Sequence, residues 1–495
     1  MNFFLDLFFN NFVFKTDSYK LTHWKQLRIG TTKIVSYLEA RTGALHPSTI
    51  FFGLQPIIKK LEGKVLTEEG ILAGEWFAAI HLGNSELFNL KGWLRLLEKH
   101  KGMLPITIKA VAEGTNVSIS NVLVLIENND DEFPWLTNYI EGFLQKVWYP
   151  TTIATNSFYC KKVIVEGLKE TSGNLDHAKF ALHDFGYRGV TSEEQAGIGG
   201  AAHLTSFYGT DNIQGIIFAN QHYTIDIEKM TIENYKEIFK MYGFSIAASE
   251  HSTATPFGPE EGELAYIEHM LKIYPENPFS IVIDSFNAKS FPDKINKFKK
   301  EILARPEQAK IVLRPDSGNP VEINLFLLNS LWKHFSGTYK NDYRLLNSHI
   351  GIIQGDGIDY NMIVELTNAL KNEGWATDNL VFGSGGGLLQ KHNRDTERFA
   401  IKCCSSTYNG EIIDVRKNPS TDSSKTSKAG YLKLHKMASG IDKAPTYQTF
   451  STADTGNIDA YVDSLIPVFK DGKVLVKYSF EDVRKQVEKE LNYLT

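Results

Sequence analysis

The runs KIVLRPD (310–316), GIIQGD (351–356) and LVFGSGGG (380–387) share one arrangement, a short apolar stretch that stops abruptly at arginine, acid or glycine. An apolar run with no polar alternation reads as a strand covered on both faces, the mark of a parallel sheet. Its polar stop then reads as the carboxyl end of the strand, where α/β proteins place their ligands. Similar runs centre near Leu182 (KFALHDFG), Ile216 (GIIFAN), Ala247 (FSIAASEH), Val282 (FSIVIDS) and Ile401 (FAIKCC). They recur at intervals of roughly 30 to 40 residues, enough for a strand, a helix and two loops. Between them, residues 260–274, 294–304, 320–335 and 360–373 carry apolar positions at helical spacing. The pattern predicts an α/β fold with a (β/α)8-like barrel; a doubly wound open sheet shares the same rhythm.

The first 175 residues read differently. Pro105–Val111 and Val117–Glu127 alternate in character about a turn with Gly114 and Asn116, which predicts an antiparallel hairpin. The expected organisation is an α+β domain over 1–175, a barrel-like catalytic domain over 176–400, and a segment over 401–495 that packs back on the N-terminal domain. In that last segment, KNPSTDSSKTSKAG (417–430) has the composition of an exposed loop and carries Lys417, Lys425 and Lys428.

With 495 residues the chain can bury a large core, and a large soluble enzyme is the expected class. A formal net charge of -5 with 22% charged residues gives no basic footprint for nucleic acid, so bound phosphates have to be met locally. Three cysteines, Cys160, Cys403 and Cys404, support neither a disulfide framework nor a zinc site, and a reducing, cytoplasmic compartment is expected. The opening MNFFLDLFFNNFVF (1–14) lacks a basic n-region and a small-residue cleavage site and is interrupted by Asp6 and two asparagines, so it reads as a segment packed on the fold or on another subunit. No stretch approaches the ~20 apolar residues of a membrane helix.

Reading only the strand ends gives His183, Asp184, Phe185, Arg188, Glu250, His251, Asp284, Arg314, Asp316, Gly355, Asp356, Gly385 and Gly386. In a barrel these converge on one face. Arginines and glycine-exposed amides hold phosphate oxygens, while carboxylates accept from ribose hydroxyls or hold Mg²⁺, so the set suits an anionic sugar phosphate. GSGGGLLQK (383–391) is the strongest phosphate candidate, because consecutive glycines admit close backbone approach. A GxxxxGK[ST] loop is absent. His251 beside Glu250 is a candidate nucleophile or proton carrier, since a neighbouring acid orients the imidazole and raises its basicity. Asp211, in YGTDNIQG, precedes its expected strand and reads as a turn residue.

The segments TDSYKLTHWKQ (16–26), KGWLRLLEK (91–99), WYPTTIATNS (148–157), HDFGYRGVTSEEQAGIG (183–199), EHST (250–253), RPDSGNP (314–320), QGDG (354–357) and FGSGGGLLQKHNRDT (382–396) closely resemble, in this order, the nicotinamide phosphoribosyltransferases of the type II phosphoribosyltransferase family. The likeness runs from about residue 14 to YSFEDVRK near residue 485. It implies transfer of phosphoribosyl from 5-phosphoribosyl-1-pyrophosphate (PRPP) to nicotinamide in NAD salvage, giving nicotinamide mononucleotide and pyrophosphate, with Mg²⁺, optional ATP hydrolysis and a homodimer with shared sites. By similarity Phe185 and Tyr19 would stack on the pyridine ring, Tyr19 arriving from a second subunit, and Asp211 would accept from the carboxamide, repelling the carboxylate of nicotinate. Arg188, His251 and Arg314 would meet pyrophosphate. Asp316, Gly355, Asp356, Gly386 and a partner-supplied Arg394 would hold the ribose and its phosphates, with Asp17, His183, Gly385 and Lys402 also substrate-binding. His251 would be phosphorylated by ATP, with Glu250 and Asp284 nearby; no metal ligands are assigned.

The chain departs from the family's animal members at Ala400, where they carry serine, and at Phe286 and Asn287, where they carry Tyr and Asp. The nearest competing activity is nicotinate phosphoribosyltransferase, against which Asp211, Phe185 and Tyr19 argue. A non-catalytic ligand sensor predicts eroded pocket positions, and a sugar-phosphate aldolase would want a lysine at a core strand end.

Overall fold

A computed structural model describes residues 4–421, 426–437, 445–455 and 458–495, so Lys425 and the first three residues lie outside the described ones. The chain divides into two compact units, Met1–Thr155 with Asn393–Tyr493, and Asn156–His392 with the last two residues.

The second unit is built on seven parallel strands among the described residues: β1 (Leu182–Asp184), β2 (Gly209–Thr210), β3 (Ala247–Ala248), β4 (Phe279–Val282), β5 (Ile311–Arg314), β6 (Ile350–Gln354) and β7 (Leu380–Ser384). They pair in the order β2-β1-β7-β6-β5-β4-β3, every pair parallel. The two edges are joined through Phe244, whose amide donates to the Tyr208 carbonyl at 2.7 Å and whose carbonyl accepts from the Thr210 amide at 3.0 Å. The strands therefore run round a ring in chain order, the barrel-like arrangement expected from the spacing.

Two of the expected strands lie elsewhere. GIIFAN belongs to the helix Ile213–Tyr223, and the strand of that βα unit is the two-residue β2 just before it. A four-residue apolar run fits a helix as well as a strand, and here the glycine decides. A Cβ on Gly215 would lie 2.8 Å from Gly200 Cα on the helix Glu193–Leu204, so the two helices pack backbone to backbone. The run at Ile401 lies within the ten-residue strand Phe399–Tyr408, which pairs antiparallel with Thr31–Ala40 in the first unit. The helical expectations hold at Glu261–Ile273, Pro320–Phe335 and Tyr360–Asn372, while 294–304 is split into Phe291–Asn296 and Lys299–Leu303. Caps start these helices just past the strand ends: Asn319 accepts from the amides of Val321 and Glu322 with Pro320 at the first helical position, and Asp359 accepts from Met362.

The first unit carries a seven-stranded antiparallel sheet in the order 411–414, 399–408, 31–40, 122–128, 106–110, 466–470, 473–474. Ile106–Ala110 and Val122–Asn128 pair antiparallel as expected, but the second stretch is divided: Asn116–Ser118, with the expected turn residue Asn116, pairs instead with Ser48–Ile50. Its largely aliphatic core holds an aromatic cluster: Trp93 is 1% exposed, with its ring 4.5 Å from Trp135 and 5.0 Å from Tyr139 in edge-on contacts. The opening segment Leu5–Phe9 lies in this unit, with the Phe8 ring 6.3 Å from Trp76 and 5.7 Å from Phe14. Removing the Trp93 indole leaves a cavity that its neighbours only partly fill. Trp93→Ala is expected to lower unfolding free energy by about 3–5 kcal/mol in denaturant titration, and a change below about 1 kcal/mol would contradict this packing.

Candidate active site

The carboxyl ends of the seven strands lie on one rim of the ring, and each presents chemistry. β1 ends at Asp184 and leads into Phe185 and Arg188; β2 ends directly before Asp211. Asp211 is thus a strand-end residue after all, because the true strand is the one that precedes it. Past β3 come Ser249, Glu250 and His251, past β4 Asp284, and past β5 Asp316, with Arg314 its last residue; β6 leads to Gly355 and Asp356, and β7 to Gly385 and Gly386. A polar cavity of about 680 Å³ is lined by Phe185, Arg188, Asp211, Glu250, Arg314, Asp316, Gly355, Asp356, Gly385 and Gly386 among others. A second, mostly apolar cavity of about 270 Å³ descends into the ring, lined by His183, Phe185, Asp211, Ser245, Ser280, Val312, Arg314, Ile353 and Val381. Phe185, Asp211 and Arg314 line both.

At the mouth of the inner cavity the Phe185 ring lies over bare main chain. A Cβ on Gly383 of β7 would fall 2.0 Å from Phe185 Cε2, and one on Gly209 of β2 would fall 2.7 Å from His183 Cδ2. Glycine on both strands flanking β1 is what lets these two rings lie down. Beside Phe185, the Asp211 carboxylate accepts from the Ser245 hydroxyl. Burial holds the His183 imidazole below its ordinary pKa, with Asp211 pulling the other way.

On the other side of the rim, His251 Nε2 lies 3.2 Å from Asp284 Oδ1, and Nδ1 lies 4.0 Å from Asp316 Oδ2. Asp284 is itself fixed, accepting from the Asp316 amide at 3.2 Å and the Ser317 hydroxyl at 2.5 Å. His251 opens the short helix His251–Ala254, whose N-cap Glu250 forms a capping box with Thr253. Glu250 also faces Arg188 Nη1 at 3.8 Å, an exposed pair that adds little stability. Arg314 Nε is buried with no protein partner, as is the Ser280 hydroxyl lower in the ring. An imidazole between carboxylates, an unpaired guanidinium nitrogen and glycine amides can together hold a phosphorylated ligand and stabilise a leaving anion.

The remaining sequence-derived residues lie in the first unit. Tyr19 is 56% exposed and donates to Asp17 Oδ2 at 3.2 Å. Arg394 is exposed and lies 3.5 Å from Asp395. The Lys402 ammonium is held below its ordinary pKa by burial first, then by Arg41, with Lys417 and Arg394 adding and Glu141 opposing. Lys428, in the polar loop, is paired with Glu39.

Sequence reading left out two side chains at the rim, and named a third without its role. Ser245 lies upstream of a strand end, so no rule pointed to it. Lys391, inside the quoted glycine run, lines the polar cavity. Asp184 was visible as a strand end, but its role depends on partners far apart in sequence. It is fully buried, its Oδ1 accepting from the Gly186 amide at 2.7 Å and its Oδ2 from Asn212 Nδ2 at 2.9 Å. Burial pushes its carboxyl up to about 6, the two hydrogen bonds opposing and Asp211 adding.

Comparison with known proteins identifies the fold and the family. The structure is similar to the crystal structure of nicotinate-nucleotide pyrophosphorylase from Pyrococcus furiosus, with a TM-score of 0.56 at 14% identity over 97% of this chain and 95% of that one, and the fold is that of the type II phosphoribosyltransferases. Residues 180–471 match the model of the nicotinate phosphoribosyltransferase (NAPRTase) family, and residues 11–108 that of the nicotinamide phosphoribosyltransferase N-terminal domain. The chain belongs to the nicotinate phosphoribosyltransferase family. It is 36% identical to the nicotinamide phosphoribosyltransferase of Xanthomonas campestris over 97% of this chain and 99% of that protein. It is 29% identical to the protein of that name from Acinetobacter baylyi, over 96% of each.

The Asp184 environment makes stability depend on pH. Its folded pKa lies above the unfolded value, so its contribution is full below the unfolded pKa and is lost as pH rises through about 6. Between about pH 4 and about pH 8 the chain should lose stability relative to Asp184→Asn, measured by denaturant titration; a difference independent of pH would contradict the assignment.

Proposed function

We propose that the chain transfers phosphoribosyl from PRPP to nicotinamide, forming nicotinamide mononucleotide and pyrophosphate in NAD salvage. The observation that carries this reading is the Asp211 carboxylate beside the Phe185 ring at the mouth of the inner cavity, with Arg314 lining the same space. A carboxylate there accepts from a carboxamide NH₂ and repels the carboxylate of nicotinate. Breaking the anomeric bond builds positive charge on the ribose and negative charge on pyrophosphate. Arg188, Arg314 and the amides at Gly355, Gly385 and Gly386 would hold the anion while Asp316 and Asp356 accept from the ribose.

Among the described residues no three His, Cys, Asp or Glu side chains gather into a metal site. Mg²⁺ usually takes one or two carboxylates and completes its shell with substrate phosphates and water, which suits Asp316 and Asp356 facing the polar cavity. When bound, the ion would neutralise pyrophosphate charge. ATP would phosphorylate His251, whose imidazole Asp284 orients. The active form would be a homodimer in which Tyr19 completes the ring stack and Arg394 the phosphate site of a second subunit. No helix among the described residues is long and apolar enough to cross a membrane, and the three cysteines are free; a cytoplasmic setting fits the thiols.

Incubation with PRPP and either nicotinamide or nicotinate, followed by mass spectrometry, tests the activity: the nicotinamide product should dominate, and an equal or larger nicotinate product would overturn the reading. Asp211→Ser should lose nicotinamide use by about 100-fold and gain nicotinate use, the scale of a lost hydrogen bond to a charged group. Mixing Tyr19→Ala with His251→Ala subunits should restore part of the activity each lacks alone. Absence of any restoration would argue against shared sites.

A further inference from the structure

We propose that Asp184 and Asn212 act as a positioning pair that fixes both walls of the pyridine slot, the Phe185 ring and the Asp211 carboxylate, without touching substrate. This inference rests on the reading of that slot as the nicotinamide site. Asp184 directly precedes Phe185, and its Oδ1 takes the Gly186 amide at 2.7 Å, tying down the turn on the far side of the ring. Its own carbonyl accepts from the Asp211 amide at 3.0 Å. Its Oδ2 takes the side-chain amide of Asn212, the residue after Asp211, at 2.9 Å. One buried carboxylate therefore holds the chain after each wall of the slot.

The Asn212 side chain is placed for its NH₂ alone. Nδ2 also donates to the Ala196 carbonyl at 2.9 Å, while Oδ1 is buried with no hydrogen-bond partner. An unpaired buried carbonyl is unfavourable, so packing by itself does not favour this residue. Space for the amide comes from Gly200, where a Cβ would lie 2.6 Å from Asn212 Nδ2. Among the described groups facing Asp184, the hydrogen-bond donors are neutral, so direction is what the carboxylate supplies. A carboxylate can accept on both sides, whereas an amide in its place must turn one N–H against another.

Asp184→Asn and Asn212→Ala test this, with steady-state kinetics for each substrate. The expected result is a nicotinamide KM raised about tenfold or more, with the PRPP KM within about twofold and kcat within about threefold, and losses in the double variant well short of additive. Equal changes in both KM values, or a drop in kcat alone with lowered Tm, would mark a merely structural role and overturn the proposal. Wild-type enzyme that makes no mononucleotide would sink the reaction reading instead. In that case crystal structures of the two variants decide: displaced Phe185 and Asp211 support the pair, and an unmoved slot overturns it.

Discussion

Closure of a ring of very short parallel strands is the constraint under everything else in the second unit. β2 and β3 are two residues each, too short to hold an edge by themselves, and the bonds of Phe244 to Tyr208 and Thr210 are what turn a sheet with two ends into a rim. Only on a closed rim do Asp211, after β2, and Glu250, after β3, share a cavity with Arg314 and Asp316. The site is thus a product of topology first and of side-chain chemistry second.

On that rim, charges are sorted by what they can reach. Asp284 is surrounded by donors and faces His251, while Asp184 is buried among neutral partners with another carboxylate nearby. The first arrangement orients an imidazole; the second supplies rigid direction at a cost in solvation. The same residue type performs two tasks because its surroundings differ.

The strands at Val312, Ile352 and Val381 were legible because each is an apolar run ending in a polar stop, and so the rim residues beyond them were legible too. β2 was not, since Gly209–Thr210 carries no apolar pattern and the louder run GIIFAN, a helix, stood next to it. The run at Ile401 has the same local pattern as a barrel strand, and its pairing with Thr31–Ala40 depends on residues more than half the chain away. The Asp184–Asn212 contact and the Ser245–Asp211 contact were equally out of reach, because hydrogen-bond direction between distant residues leaves no periodic trace. Resemblance to a family supplied Asp211 where local reading gave only a turn.

A last consequence concerns Gly383 and Gly209. Behind the Phe185 ring lies peptide plane, not side chain, so the pitch of that ring is set by strand spacing, whereas the cavity below it is lined by side chains such as Ser280, Val312, Ile353 and Val381. The seat of the Phe185 ring is inherited with the barrel itself, while the room beneath it can be redrawn one side chain at a time.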